Sequence, residues 1–290
     1  MNPSILFKLG RISNLPTVWS NVLLAIVVSN EIIKDSNVLL LIISFSFFYI
    51  GGMFLNDAFD SEIDAIERPE RPIPSGKIKK NIVLTIGFIL LIFGLIFLFL
   101  ATIIFQTINP YIPLLSGFLL CALIVFYNLS HKNNPLSPLI MGLCRVFIYL
   151  TTIFVFSSHL QIEILLASIF LLSYLIGLTY IAKQENVGQI KNLWPLCFLF
   201  SPIIFGLINT TNNLTIIPFL LLFSITTFVA LFFLFRRKKE DIKKSVIILI
   251  AGISLFDALL IAVQGNFNLA LIAVLCFILT ILLQKFVPGT

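Results

Sequence analysis

The sequence carries little charge for its length. Only 11% of its 290 residues are Asp, Glu, Lys or Arg, whereas 59% are hydrophobic and 30 are Phe. A soluble domain has about 25% charged residues with which to cover its surface, and a disordered chain has low hydrophobicity. The shortage of charge therefore excludes both classes and predicts an integral membrane protein.

Cysteine is also scarce, and the four cysteines are scattered. Cys121, Cys144, Cys197 and Cys276 lie singly within apolar runs, so their spacing is not that of a zinc site or a disulfide framework. This pattern excludes a small disulfide-linked secreted module. The N-terminal region lacks the short apolar core and the cleavage site of a signal peptide, so we expect its first apolar run to remain as a membrane span.

Ten apolar segments are candidates for membrane-spanning helices, since an α-helix needs about 20 apolar residues to cross the hydrocarbon core of a bilayer. They lie near residues 16–30, 38–58, 82–105, 111–128, 138–157, 162–182, 194–209, 215–235, 245–264 and 267–286. The last two are separated only by residues 264–268, so nine spans and a re-entrant turn would also fit. We predict an all-α polytopic bundle of 9–10 transmembrane helices, folded as a single domain over residues 1–290.

The basic residues predict the orientation of this bundle. If the N-terminus is cytoplasmic, all but two of the 19 Lys and Arg residues fall at cytoplasmic ends or connections; the exceptions are Lys34 and Arg145. This bias is what the positive-inside rule expects. We therefore expect a protein of the plasma or inner cell membrane with its chemistry on the cytoplasmic side. The net charge of +6 is then explained by topology and anionic lipid, and we expect no nucleic-acid partner.

Six of the 13 acidic residues fall in one stretch directly after the second apolar segment. If the helix continues to the first proline, each residue advances about 100° around its axis. Asn56, Asp57, Asp60, Asp64 and Glu67 would then share one helix face. Like charges at this spacing repel each other, so a compensating positive charge is expected nearby.

Two interpretations of this helix face, which we call the acidic stripe (Asn56, Asp57, Asp60, Asp64 and Glu67), remain open. It could be a solvated face that neighbouring Arg and Lys residues neutralise. It could also bind a divalent cation, because ionisable groups at the end of a membrane helix mark functional sites and amide and carboxylate oxygens suit a hard cation. Mg²⁺ prefers one or two carboxylates together with water and phosphate oxygens. Carboxylates flanked by Arg and Lys therefore indicate a magnesium–diphosphate site.

The residues of this stretch follow a specific pattern. Asn56, Asp60 and Asp64 are spaced four residues apart, and the run from Arg68 to Gly76 reads RPERPIPSG. The pattern resembles the first aspartate-rich motif of the UbiA superfamily of membrane prenyltransferases. The resemblance implies a UbiA-like helical bundle around a lipid-accessible cavity, with Mg²⁺ and a prenyl diphosphate at its cytoplasmic mouth. It further implies catalytic and metal-binding roles for the two aspartates, a metal-binding role for Asn56, and diphosphate contacts from Arg68 and Arg71.

Smaller matches to the same superfamily extend along the chain. They comprise the opening segment with Arg11, Asn14, Pro16, Thr17 and Asn21, then Tyr127 with His131–Lys132, and finally Arg145. The resemblance implies that Lys132 and Arg145 lie near the diphosphate. It also implies that Asn21, Tyr127 and Tyr180 belong to the substrate pocket.

The likeness breaks at the second aspartate-rich motif. The sequence after the sixth segment has one acid, Glu185, and no aspartate. By the resemblance, Glu185 would complete a metal site, and Lys183 would replace a metal's charge on the diphosphate. The additional last segment and the ending QKFVPGT, together with the stretch from Thr179 to Glu185 and the run from Arg68 to Gly76, are most similar to the EboC-type branch of UbiA-like proteins.

Two functions follow from these observations. The first is a prenyltransferase that passes an isoprenyl group from a prenyl diphosphate to a lipophilic or aromatic acceptor. The alternative is a non-catalytic lipid-binding or transport-associated component, which the degenerate second motif favours. A transporter commonly shows repeated halves with paired broken helices, and the sequence has no such repeat. Arg145, alone in an apolar span, must be paired or hydrated; a pairing with Asp257 and a contact with diphosphate both remain open.

Overall fold

The computed structural model of the protein describes residues 3–29, 38–132, 134–184, 192–210, 213–236 and 240–289. Within these ranges the chain is helical and contains no β-strand, which confirms the all-α prediction. The α-helices are α1 (Pro3–Leu9), α2 (Leu15–Val28), α3 (Val38–Phe59), α4 (Ser61–Glu67), α5 (Lys80–Ile104), α6 (Tyr111–Ser130), α7 (Ser137–Phe156), α8 (Ile162–Lys183), α9 (Ser201–Thr210), α10 (Ile217–Arg236), α11 (Asp241–Val263) and α12 (Phe267–Leu283). Short 3-10 segments precede three of them, at Ile12–Asn14, Trp194–Phe200 and Leu214–Ile216.

The helices account for each of the ten predicted apolar segments, although not all are of full span length. Among the described residues, seven helices are long and apolar enough to cross a membrane: α3, α5, α6, α7, α8, α10 and α11. An eighth span is formed if α1 and the segment Ile12–Val28, which meet at a bend of 56°, are counted together. The stretch Trp194–Thr210 and α12 are apolar but shorter. Within the described part of the chain, seven or eight helices thus reach span length, fewer than the predicted 9–10, because two of the predicted segments form shorter helices.

The last two apolar segments are separate helices. Gly265, between α11 and α12, has a φ of +80°, a left-handed conformation that glycine adopts without steric cost. The chain turns there and α12 packs back against α11. This arrangement replaces the re-entrant turn that the short polar break left open.

Helix α11 lies at the centre of the bundle and α5 at its periphery. Within the apolar stretch of each helix, 78% of α11 is buried inside the bundle, compared with 28% of α5. One apolar cluster joins α8, α10, α11 and α12, and a second joins α3, α5 and α6; helices α2 and α7 contribute side chains to both. Buried α2 is therefore flanked by both halves of the core.

Two glycines bring α3 and α5 together. A Cβ atom added at Gly51 would lie 2.9 Å from the carbonyl oxygen of Gly87, and one added at Gly87 would lie 2.8 Å from the Leu55 side chain. Small residues of this kind allow membrane helices to approach closely. The contact holds the second half of α3, which leads into the acidic stripe, against the first half of α5.

Candidate active site

A cavity of about 390 Å³ opens at the end of the bundle where α3, α6 and α8 finish and α11 begins. One side is polar and includes residues from the opening segment, the acidic stripe and the end of α6. The other side is apolar and is formed by Leu175, Leu178, Val246, Ile250 and Ile253. The cavity thus combines a charged wall with a wall suited to hydrocarbon.

The acidic stripe forms part of the charged wall. Helix α3 ends at Phe59 and α4 begins at Ser61, but the amide of Asp60 still bonds to the carbonyl of Asn56 at 2.9 Å, and the amide of Asp64 to that of Asp60 at 2.8 Å. Helical register therefore continues across the break. Asn56, Asp60, Asp64 and Glu67 consequently line the cavity together.

Asp57 differs from the other members of the predicted stripe. Its side chain is buried and is not among the residues that line the cavity. Its Oδ1 atom lies 3.2 Å from Nη2 of Arg11 and 3.3 Å from Nη1 of Arg71. Asp57 therefore holds two arginines in place rather than facing a ligand.

Cationic side chains already balance the carboxylates that do face the cavity. Nη1 of Arg71 lies 2.7 Å from Oδ2 of Asp64. Nζ of Lys132 lies 3.6 Å from Oδ1 of Asp60, and Nε2 of His131 lies 3.5 Å from its Oδ2. Arg71 and Lys132 supply the compensating positive charge that the stripe required, and these two side chains and His131 all line the cavity.

Asn56 is fixed by neighbours on two sides. Its Oδ1 atom accepts a hydrogen bond of 3.2 Å from Arg11, and its Nδ2 group donates one of 3.1 Å to Oδ1 of Asn128. Asn128 in turn donates to the carbonyl of Gly52 at 3.1 Å. Sequence reasoning missed Asn128, although an amide near the end of an otherwise apolar helix was a signal. Arg11 was seen only as part of the opening segment, and the structure places it at the site.

The oxygen ligands suit Mg²⁺ held together with an anionic ligand. In the part of the chain that the structure describes, no group of three or more His, Cys, Asp and Glu side chains is arranged to hold a metal ion. Mg²⁺, however, commonly uses one or two carboxylates and takes its other ligands from water and phosphate. Asn56, Asp60 and Asp64 place such hard oxygen atoms on one wall. A bound diphosphate could pair with Arg71 and Lys132 in place of Asp64 and Asp60. The two carboxylates would then be available to bind the cation.

Arg145 reaches the cavity from the middle of the bundle. It is buried, lines the cavity, and lies 5.5 Å from the centre of the Tyr49 ring. Its Nη1 and Nη2 groups donate to Oδ1 of Asn21 and Oγ1 of Thr17, both at 3.0 Å. Asn21 also donates to Asp257 at 2.9 Å. The two alternatives for Arg145 are therefore compatible, since it is linked to Asp257 through Asn21 and still borders the cavity.

A smaller apolar pocket of about 60 Å³ adjoins the main cavity. The two share Tyr49, Met53, Tyr127, Met141 and Arg145 as lining residues. The remainder of the small pocket is largely aromatic and aliphatic and includes Phe45, Phe48, Leu120, Ile124 and Ile148. An apolar group attached to an anion at the charged wall could extend into this space.

Comparison with protein-family models decides the family. Residues 13–187 match the model of the UbiA prenyltransferase family, which is more than half of the chain. The protein belongs to the UbiA family. This match confirms the resemblance seen in the acidic stripe, and it makes the protein an integral membrane member of a prenyltransferase family.

Several curated relatives are similar to parts of this UbiA chain. The digeranylgeranylglyceryl phosphate synthase of Sulfurisphaera tokodaii is 35% identical over 97 residues, which are 33% of this chain and 35% of that protein. The protein of the same name from Methanocaldococcus jannaschii is 39% identical over 90 residues, 31% and 32% of the two chains. The one from Methanosarcina mazei is 31% identical over 146 residues, 49% and 45%. The chain thus spans less than half the length of these relatives.

Two solved structures share the fold. A chain from work on the biosynthesis of digeranylgeranylglyceryl phosphate synthase in membranes has a TM-score of 0.62 at 21% identity, covering 91% of this chain and 98% of that one. The apo structure of a UbiA homologue from Aeropyrum pernix K1 has a TM-score of 0.65 at 14% identity, covering 87% and 97%. These similarities confirm the predicted UbiA fold. The EboC-type branch stays a prediction.

The other predicted site residues of this UbiA protein lie in different places. Arg68, Tyr127 and Lys183 line the cavity; the Tyr127 ring stacks on His131 with 4.9 Å between ring centres, and Lys183 donates to the Asn134 carbonyl at 3.2 Å. Tyr180 is not among the lining residues, and its hydroxyl hydrogen bonds to the backbone of residue 192. Asn21 is fully buried behind Arg145. Glu185 lies outside the described residues.

The structure adds one segment that the sequence did not place at the site. Residues 284–289, after α12, fold back to the opening segment, where Nε2 of Gln284 donates to Oδ1 of Asn14 at 2.7 Å. Nδ2 of Asn14 donates to the carbonyl of Gly289 at 3.0 Å, and both Asn14 and Gly289 line the cavity. The ending noted in the sequence is therefore part of the cavity wall.

Proposed function

We propose that this UbiA protein is a Mg²⁺-dependent prenyltransferase that moves an isoprenyl group from a prenyl diphosphate to a lipophilic acceptor. The observation that supports it most strongly is the wall formed by Asn56, Asp60 and Asp64, with Arg71 and Lys132 beside it. Oxygen ligands for a cation and cationic groups for a diphosphate meet there at the border of an apolar space. Each of the five residues keeps the role that the resemblance implies.

The charges around the cavity support the binding of an anion. Among the described residues that line it, those with fixed positive charge outnumber the acids: Arg11, Arg68, Arg71, Lys132, Arg145 and Lys183 against Asp60, Asp64 and Glu67. Arginine and lysine form charge-assisted hydrogen bonds to phosphate oxygens. A bound Mg²⁺, held by Asn56, Asp60 and Asp64, would supply further positive charge to the diphosphate oxygens.

The residues of the cavity fit the chemistry of prenyl transfer. Breaking the allylic carbon–oxygen bond leaves its electron pair on the diphosphate, where Arg71, Lys132 and Arg145 would stabilise the developing negative charge. The allylic carbon becomes electron-deficient and must be kept from water until the acceptor attacks. The apolar pocket of about 60 Å³ that includes Phe45 and Phe48 adjoins the charged wall and would receive the part of the isoprenyl chain nearest the diphosphate.

The acceptor is proposed as a lipophilic molecule that reaches the cavity from the membrane. The apolar wall from α8 and α11 suits a hydrocarbon group. The curated relatives are named for digeranylgeranylglyceryl phosphate synthesis, so a prenylated glyceryl phosphate is the first acceptor to test and an aromatic phenol the second.

We further propose that the cavity faces the cytoplasm of the cell membrane and that residues 1–290 form one domain. The positive-inside distribution of Lys and Arg supports the orientation. The joint lining of the cavity by the opening segment, α3, α8, α11 and residue 289 supports a single domain. Labelling of single cysteines placed at residue 75 and residue 108 tests the orientation, because a membrane-impermeant reagent applied outside intact cells should reach only the second.

The proposed function is tested with membranes that contain the protein, radiolabelled geranylgeranyl diphosphate and each acceptor. Asp60→Ala and Asp64→Ala should lower transfer by at least about 10²-fold, the scale seen when a group that stabilises transition-state charge is removed. Glu62→Ala is the matched control, because Glu62 belongs to the same segment but is exposed and pairs with Lys80. Removal of Mg²⁺ with a chelator should abolish transfer by the unmodified protein.

Two results would change this assignment. Equal transfer by the Asp60→Ala, Asp64→Ala and unmodified proteins would contradict a role of the stripe in the reaction. Binding of the prenyl diphosphate without product from either acceptor would favour the non-catalytic, lipid-binding alternative. That alternative draws its support from the pairing of Asp64 with Arg71 and of Asp60 with Lys132, since carboxylates neutralised in this way need no metal.

A further inference from the structure

One carboxylate lies in the interior of the bundle, away from the acidic stripe. Asp257, in the second half of α11, has no exposed surface. Its Oδ2 atom accepts hydrogen bonds from Oγ of Ser20 at 2.5 Å and from Nδ2 of Asn21 at 2.9 Å, and its Oδ1 atom accepts one from the hydroxyl of Tyr149. A carboxylate buried among membrane helices is costly and requires a specific partner or function.

Asn21 connects this carboxylate to Arg145. Its side-chain oxygen accepts a hydrogen bond from Nη1 of Arg145 at 3.0 Å, while its NH₂ group donates to Asp257. A guanidinium can only donate and an ionised carboxylate can only accept. The Asn21 amide is therefore held in a single orientation, with its oxygen toward the cation and its nitrogen toward the anion.

The connection fixes the position of the guanidinium. Nη2 of Arg145 is held by Oγ1 of Thr17 at 3.0 Å, so both terminal nitrogens are anchored to α2. These two bonds use two of the five N–H donors of the group. Because Arg145 also lines the cavity, the same rigid plane that is anchored on α2 borders the space where an anion would bind. A planar guanidinium binds phosphate most strongly in a bidentate geometry, which depends on the orientation of its plane.

The charges of the two residues depend on each other. A cation or anion buried without a partner is strongly unfavourable, and here Asp257 and Arg145 balance each other across one amide. When a diphosphate binds, Arg145 does not have to leave a direct ion pair with Asp257, since its contacts on the α2 side are to the neutral groups of Thr17 and Asn21.

We propose that Asp257 is a positioning residue, which through Asn21 holds Arg145 in the orientation that meets the diphosphate of the prenyl donor. The inference rests on the proposed function and adds to it a residue buried behind the cavity wall. A residue that served only to join α2, α7 and α11 would contribute to stability and leave recognition of the donor unchanged. The two roles therefore differ in a measurable way.

The experiment compares Asp257→Asn with Asp241→Asn in protein reconstituted in nanodiscs of neutral lipid. Asp241 is a matched control because it lies on the same helix, is equally buried and, like Asp257, does not line the cavity, but it pairs with Arg236 at 2.6 Å where Asp257 contacts Asn21. Thermal unfolding, the Kd for a non-reactive prenyl thiodiphosphate and the KM for the prenyl diphosphate are measured for each variant. We expect both variants to lose stability. Only Asp257→Asn should also weaken Kd and KM for the donor, by about tenfold, the size of coupling found within one hydrogen-bond network.

A double-variant cycle tests whether the effect passes through Arg145. In an Arg145→Gln background, Asp257→Asn should cause little further loss of donor affinity, because the guanidinium that it positions is gone. Asn21→Ala provides a second route that keeps both charged residues, and it should raise the KM for the donor as Asp257→Asn does. This variant decides the matter if Asp257→Asn does not fold.

The results that overturn the inference are separate from those that overturn the proposed function. If the unmodified protein does not bind the prenyl thiodiphosphate, the proposed function fails and the inference fails with it. If the unmodified protein binds it and Asn21→Ala and Asp257→Asn bind it equally well, only the inference fails. Additive losses of affinity in the double variant would also overturn it, since Asp257 would then act independently of Arg145.

Discussion

Arg71 would compete with the proposed metal ion for the carboxylate of Asp64. Removing Arg71 should therefore change the affinity for a divalent ion and the affinity for the prenyl diphosphate in opposite directions. In the structure Nη1 of Arg71 lies 2.7 Å from Asp64 and 3.3 Å from Asp57, and both carboxylates are largely buried. Arg71→Ala removes the cation from Asp64. We expect the variant to bind a divalent ion more tightly when no prenyl diphosphate is present, and to bind the prenyl diphosphate less tightly when Mg²⁺ is present.

The magnitude follows from the surroundings of the pair. The Arg71 side chain is 15% exposed and that of Asp64 is 5% exposed. Exposed ion pairs are worth at most about 1 kcal/mol, whereas breaking a buried pair costs about 3–5 kcal/mol. A pair at the border of an open cavity should fall between these limits, at about 2 kcal/mol, which corresponds to about 30-fold in a dissociation constant. Metal affinity should rise, and diphosphate affinity should fall, by approximately this factor.

Mn²⁺ serves as the probe, because its electron paramagnetic resonance signal distinguishes bound from unbound ion. The titration is carried out in nanodiscs of neutral lipid, with and without a prenyl thiodiphosphate. Lys80→Ala is the control, since Lys80 pairs with exposed Glu62 of the same region at 3.3 Å and does not line the cavity. It should leave both affinities unchanged within about twofold, as expected for an exposed pair.

A weaker affinity of Arg71→Ala for Mn²⁺ in the absence of the prenyl thiodiphosphate would refute the reasoning. Arg71 would then organise the carboxylates for the metal instead of competing with it. An unchanged affinity would refute it as well, because Asp64 would not be a ligand.

Two further predictions concern packing. Gly51→Val should lower the free energy of unfolding by about 1–3 kcal/mol, the usual cost of overpacking, because its Cβ would lie 2.9 Å from the Gly87 carbonyl oxygen. Thermal unfolding in detergent measures the change. Unchanged unfolding would show that α3 and α5 can separate without cost. Gly289→Val should lower the proposed prenyl transfer by about tenfold with little change in thermal unfolding. Its Cβ would lie 2.8 Å from Oδ1 of Asn14 and would displace a residue that lines the cavity. Equal loss of activity and of folded protein would contradict this role of Gly289.

Much of the fold was predictable because each apolar segment must satisfy its backbone hydrogen bonds within one helix in the absence of water. The positions of the helices follow from local sequence alone. The angular step of a helix likewise placed Asn56, Asp60 and Asp64 on one wall, and it was unaffected by the break between α3 and α4 because the hydrogen bonds across Asp60 keep helical register.

The sequence could not predict contacts between residues that are distant in the chain. Asn128 lies 72 residues from Asn56, and Gly289 lies 275 residues from Asn14; both contacts depend on how complete helices pack. The same angular step also overestimated the stripe, since it assigned Asp57 to the face of its neighbours, whereas two arginines bind Asp57 away from the cavity. The role of Glu185 remains a prediction, as residues 185–191 lie outside the described ranges.

The return of the chain from α12 to the cavity wall has a practical consequence for work on this protein. Gly289 is buried beside Asn14 and lines the cavity, so a purification tag or fluorescent protein attached just beyond Gly289 would begin at the cavity wall. We expect such a fusion to strain the Asn14–Gly289 hydrogen bond and to lower the prenyl transfer proposed for this cavity. An affinity handle placed ahead of exposed Pro3 avoids this artefact.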